Sequence, residues 1–147
     1  MAQAGYKIGA PGETPADLLA KLGPTLRVDV GLRSLSPPGA IPDLPRKNVL
    51  ALVDTGAGVN AIDENLPQAL GLPSHNESEV SGVTGWTRVN VYTARIYVPS
   101  LDRLIFGPLA GVKLQQGDHW RRLILGRPFL RPYIMTYDGV TGQVEIR

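Results

Sequence analysis

Apolar positions along this chain recur mostly at every second residue or in short solid runs, and seldom at helical spacing. Residues 25–34 show the alternation most clearly. Leu26, Val28, Val30 and Leu32 fall on one side and Arg27, Asp29 and Arg33 on the other, which predicts a half-buried strand. Residues 48–53 hold the unbroken run Val49-Leu50-Ala51-Leu52-Val53, too short for a helix, and predict a fully buried strand. A second buried run, Leu123-Ile124-Leu125, ends in Gly126, and shorter strand candidates lie at 59–62, 104–106 and 112–114. Residues 79–98 read as a hairpin through Gly82-Val83-Thr84-Gly85. Residues 133–137 and 143–146 read as a closing hairpin about Asp138-Gly139-Val140-Thr141-Gly142, where turn residues stand where a turn needs them. Helical signals are few. Thr14 suits an N-cap, Pro15 the first helical position and Gly23 the position after the end, with Leu18, Leu19 and Leu22 on one face. Residues 63–70 predict a weak helix closed by Gly71, and 127–130 a single turn limited by Pro128. Residues 36–47 carry four prolines and a glycine and predict a loop, while the Gly- and Pro-rich residues 1–13 predict a mobile terminus. The pattern predicts a mainly β fold with one or two short helices.

Composition narrows the chemistry. The chain has 147 residues, enough for one domain, and its 43% apolar content is too high for a disordered chain. Its formal charge is only +2 and its basic residues are scattered. Arg46-Lys47 and Arg121-Arg122 are isolated pairs, so no nucleic-acid partner is expected. With no cysteine, disulfides, thiol catalysis and Cys-based zinc sites are excluded. The two histidines, His75 and His119, stand far apart in polar, loop-like contexts and predict exposed side chains. Neither a metal nor another cofactor is expected. Residues 1–10 lack the signature of a signal peptide, and no apolar run approaches the ~20 residues that span a bilayer. The expectation is a protein without a membrane partner, cytoplasmic or released from a precursor polyprotein.

One acidic residue stands apart. Asp54 follows five apolar residues, and a carboxylate at the end of a buried strand is costly unless its oxygens are satisfied. Gly56 and Gly58 allow backbone N–H groups to approach it closely, and the Thr55 hydroxyl can reach a neighbouring backbone group.

Leu52-Val53-Asp54-Thr55-Gly56-Ala57 resembles the catalytic signature of the aspartic proteases, in particular the single-motif, retropepsin-like branch. The likeness continues in the family's order over roughly residues 25–146. Gly82, Val83, Thr84, Gly85 and Trp86 resemble the flap that closes over substrate. Ile124-Leu125-Gly126 resembles the second hydrophobic-hydrophobic-glycine element, with Leu125 and Gly126 next to the site. The resemblance implies a closed antiparallel acid-protease barrel over residues 25–147, preceded by an N-terminal arm with a short helix over 1–24. It implies Asp54 as the catalytic acid, supported by Thr55 and Gly56, with Ala57, Gly58 and residues 82–86 contacting a polypeptide substrate. The two buried runs, 49–53 and 123–125, would lie beside each other under the active site, and residues 144–146 would join a sheet between subunits. A single Asp-Thr-Gly implies a two-fold homodimer, because aspartic proteolysis needs two carboxylates. Asp138-Gly139 does not supply the second, since no hydroxyl residue separates Asp from Gly.

The chain departs from the retroviral pattern at Gly58-Val59, where an acidic residue is common, and at Pro128. Arg127 is left as either an interface ion-pair partner or a surface arginine. Two other readings stay open at this point. One is a catalytically silent relative kept for dimerisation or peptide binding. The other is an unrelated small β-barrel with Asp54 in an ordinary turn.

Overall fold

The computed structural model describes residues 1–7, 11–114 and 121–147. In chain order the strands are β1 (Ala2–Gln3), β2 (Thr25–Gly31), β3 (Arg46–Val53), β4 (Ala61–Asp63), β5 (Ser74–Gly82), β6 (Gly85–Val98), β7 (Arg103–Val112), β8 (Leu123–Leu125), β9 (Met135–Asp138) and β10 (Gln143–Ile146). The helices are α1 (Pro15–Leu22), α2 (Asn65–Leu70) and α3 (Arg127–Leu130), with a 3-10 turn at Pro99–Leu101.

Strands β2, β3, β8, β4, β7 and β6 pair in that order, and β6 pairs back to β2, so the sheet closes into a barrel. β5 extends outward from β6 as one arm of the long hairpin. Around the ring, β3–β8 and β4–β7 are parallel and the other junctions antiparallel. The barrel is thus closed and mostly antiparallel, as expected, with two parallel junctions. The cause is connectivity: β8 enters late in the chain and slots between β3 and β4, and one strand cannot run antiparallel to both of them.

The alternation in β2 lies as read, with Leu26, Val28 and Val30 buried. β3 differs. Val49, Ala51 and Val53 are buried, but Leu50 and Leu52 are only half-buried, because they point out of the barrel. Residues 104–106 and Val112 belong to one strand, β7, which ends before 113–114. Asp63 ends β4 instead of opening α2, whose C-terminus turns at Gly71 in the left-handed conformation at φ 62°. His75 is exposed on β5, in a strand and not a loop, while His119 lies outside the described residues.

The first residues are held in place. Ala2 and Gln3 pair with β10, and the Ala4 N–H donates to the Val144 carbonyl at 2.9 Å. α1 begins with a capping box between Thr14 and Asp17 and buries Leu18 and Leu19. The three-stranded sheet β1-β10-β9 thus covers one side of the barrel. β10 is paired on both edges, which leaves β9 and β1 as the free edges of that sheet. Leu19, Val144, Ile146 and Phe129 join Val28, Val30, Ile62, Ile96, Val98, Leu109, Leu123 and Leu125 in one core. Each fully buried side chain of this size contributes about 1.5–3 kcal/mol. No helix is long and apolar enough to cross a membrane among the described residues.

Candidate active site

The position of β8 determines the position of Asp54. β3 runs parallel to β8, with Val53 opposite Leu125. β4 runs antiparallel on the other side of β8, with Ala61 opposite Ile124. The chain leaves β3 and enters β4 at the same end of β8, so residues 54–60 must arch over that end.

Hydrogen bonds stitch the arch to the segment below. The Asp54 N–H donates to the Leu125 carbonyl at 2.9 Å, and the Arg127 N–H to the Ala57 carbonyl at 2.9 Å. The Gly126 N–H donates to Asn60 Oδ1 at 2.8 Å. Gly126 is required by space: a Cβ there would stand 2.6 Å from the Val59 carbonyl oxygen and 2.7 Å from that of Ala57. Within the arch, the Gly56 N–H donates to Asp54 Oδ1 at 2.8 Å and the Ala57 N–H to the Asp54 carbonyl at 3.2 Å. A Cβ on Gly56 would come within 3.1 Å of the same Oδ1. Asp54 is half-buried, and its Oδ1 accepts from the backbone, which restrains the direction of the carboxylate.

Around it, Asp54 and Thr55 line a cavity of about 540 Å³ together with Leu52, Met135 and Tyr137. Thr55 is exposed, and its hydroxyl makes no hydrogen bond among the described residues. Its carbonyl accepts from Arg127 Nη1 at 3.0 Å. Arg127 forms no ion pair among the described residues. Its guanidinium lies over Gly58 instead, where a Cβ would be 3.2 Å from Nη2. Gly58 thus leaves room for the guanidinium that bonds the Thr55 carbonyl.

The hairpin of residues 82–86 is placed separately. Gly82 pairs with Gly85 across Val83 and Thr84, and Gly85 has φ +113°, a conformation that favours glycine. Gly82 and Thr84 line a second cavity of about 920 Å³ with Tyr92, Gly111 and Ile124, and Asp54 does not reach it. Val83 is fully exposed and Trp86 is 73% exposed. Neighbouring residues of β8 serve the two regions: Ile124 lines the hairpin cavity, and the Leu125 carbonyl accepts from the Asp54 N–H.

Asn60 was missed in the sequence because it sits inside the apolar stretch 59–62. A lone polar residue at the start of such a run is the signal that marks it. The pair Asp63 and Arg122, 3.1 Å apart, was missed as well. Among the described residues no cluster of His, Asp and Glu side chains is arranged to hold a metal ion.

No protein-family model matches the chain, and no curated protein matches it in sequence. Among solved structures, it is similar to the protease of simian foamy virus at a TM-score of 0.47 and 12% identity, covering 73% of this chain and 91% of that one. It is also similar to a Legionella pneumophila protein of unknown function at a TM-score of 0.41 and 13% identity, over 73% of this chain and 85% of that one.

Proposed function

We propose that this chain is one subunit of a homodimeric aspartic endopeptidase of the retropepsin-like type, with Asp54 as its catalytic acid. The observation that carries the reading is the single carboxylate on the arch over β8, oriented by the Gly56 N–H and half-open to solvent. The division into an arm over residues 1–24 and a catalytic domain over 25–147 belongs to the same proposal.

One carboxylate cannot do the chemistry alone. Two carboxylates about 3 Å apart cannot both ionise, so a pair shares one proton. The ionised Asp54 takes a proton from a water held between the two. The resulting hydroxide attacks the peptide carbonyl carbon, and the protonated Asp54 donates to the carbonyl oxygen. Collapse of the tetrahedral intermediate breaks the C–N bond, with the proton passing to the leaving amine. Two-fold symmetry supplies the second Asp54. Thr55, exposed and with an unengaged hydroxyl, is available to brace the two arches across the axis. β10 is paired on both sides, so an intersubunit sheet containing it would extend from the free edge of β9 or β1, and Tyr137 on β9 exposes apolar surface there. Ala57, Gly58 and residues 82–86 then line the floor and roof of a cleft for an extended polypeptide.

The test is cleavage of an unfolded protein from pH 3 to 7, by the wild type and by Asp54→Asn, with and without pepstatin, alongside sedimentation of both. Pepstatin-sensitive cleavage by the wild type alone, from a dimer, is the expected result. An Asp54→Asn variant that still cuts sinks the mechanism. A dimer that cuts nothing favours the silent peptide-binding relative, and a monomer that cuts nothing favours an unrelated barrel.

A further inference from the structure

We propose that Asn60 is a positioning residue for Asp54, acting through the Leu125–Gly126 peptide group. This rests on reading Asp54 as the catalytic carboxylate.

Both ends of one peptide group are held by the arch. The Leu125 carbonyl accepts from the Asp54 N–H at 2.9 Å, and the N–H of the same peptide group, on Gly126, donates to Asn60 Oδ1 at 2.8 Å. A peptide group is planar and rigid, so a rotation that frees one bond disturbs the other. Asn60 is itself anchored to the barrel wall, because its carbonyl accepts from the Ala110 N–H on β7 at 3.0 Å. Gly126 is buried, and loss of the Asn60 oxygen leaves its N–H without an acceptor. The two bonds also reinforce each other: donation by the N–H polarises the peptide and makes its carbonyl a better acceptor for Asp54. From Asp54 the linkage reaches the carboxylate through the Gly56 N–H on Oδ1. An amide supplies this acceptor without placing a third titrating charge beside a pair of carboxylates that must share one proton.

Three proteins test the proposal: wild type, Asn60→Ala and Asn60→Asp, the last keeping an acceptor oxygen in place. On one peptide substrate, Asn60→Ala is expected to lower kcat by roughly tenfold to a hundredfold, with KM nearly unchanged. Asn60→Asp is expected to recover most of kcat and to move the acid limb of the pH–rate profile upward. A readout independent of turnover is hydrogen exchange at the Gly126 and Asp54 amides, faster in Asn60→Ala at both positions and restored in Asn60→Asp. The proposal is overturned if Asn60→Ala loses only stability while keeping kcat, or if its Asp54 amide stays as protected as in wild type. It is also overturned if Asn60→Asp is no better than Asn60→Ala. If the wild type turns over no peptide, the protease reading falls by itself. The exchange arm then still decides whether Asn60 controls the backbone of Asp54.

Discussion

Asp63 Oδ2 lies 3.1 Å from Arg122 Nε, and this pair closes the end of β8 opposite Asp54. The backbone repeats the contact, with the Asp63 N–H donating to the Arg122 carbonyl at 2.8 Å. The two partners are unequally placed. Asp63 is fully buried, while the Arg122 side chain keeps 23% of its exposure. Neither carboxylate oxygen makes an aligned hydrogen bond among the described residues, so charge attraction alone offsets the desolvation of Asp63.

That asymmetry predicts unequal variants. Arg122→Met leaves a buried carboxylate uncompensated and is expected to cost about 3–5 kcal/mol in urea unfolding. Asp63→Asn leaves a cation that water can reach and is expected to cost less. The double change Asp63→Leu with Arg122→Met is expected to recover most of the loss. Equal losses from the two single variants would contradict this account.

Gly142 joins the closing turn to α1. It has φ +77°, and a Cβ there would stand 2.2 Å from the Pro15 carbonyl carbon and 2.4 Å from the Ala16 nitrogen, both backbone atoms. Gly142→Ala is expected to cost about 1–2 kcal/mol for the left-handed conformation, and a further 1–3 kcal/mol for the overlap. Limited proteolysis is expected to cut the variant near α1 before the barrel. Cleavage in the barrel first would mean that α1 is not held by this contact.

Acid acts on the same region. A side-chain hydrogen bond with Thr14 holds the Asp17 carboxyl below its ordinary value of 3.8. Hydrogen bonds from Thr141 and then Val140 do the same for Asp138. A carboxylate whose value is lowered by folding stabilises the fold above its ordinary value, and this contribution is lost as pH falls through the lowered one. The start of α1 and the β9–β10 turn are therefore expected to loosen below about pH 4, the acid side of the range in which a carboxylate pair works. Amide exchange followed down in pH reads this directly. Unchanged protection of Asp17 and Thr141 at pH 3 would refute it.

At alkaline pH the sign reverses. Tyr97 is raised by its hydrogen bond to Asp102, and Lys47 by its bond to Asp43. Each contributes below its ordinary value and loses that contribution as pH rises through the raised one.

The tip of the long hairpin separates stability from function. Val83 touches none of the core, so Val83→Ser is expected to leave unfolding free energy within about 0.5 kcal/mol. If residues 82–86 close on substrate, KM for a peptide rises and the melting curve does not move. An unchanged KM would remove Val83 from the cleft.

Local patterning carried much of this protein. The alternation in 25–34, the apolar runs at 49–53 and 123–125, the glycines of the turns and the caps of α1 each reflect the φ/ψ or burial of single segments. Such preferences are written residue by residue. The abrupt end of an apolar run at Asp54-Thr55-Gly56 was legible for the same reason. Of the pairings between distant segments, only the adjacency of 49–53 and 123–125 was expected, and it came from the family resemblance and not from a local mark. That β8 inserts between β3 and β4, making two junctions parallel, depends on contacts far apart in sequence, for which neither segment carries a local mark. The same insertion forces residues 54–60 to arch over Gly126, brings Asn60 onto the peptide that holds Asp54 and sets Asp63 against Arg122. Sequence determined which residues are strands, turns and the candidate acid. Only the tertiary structure decided which polar side chains meet, because burial charges each unpaired polar group a free-energy cost that a partner elsewhere in the chain must offset.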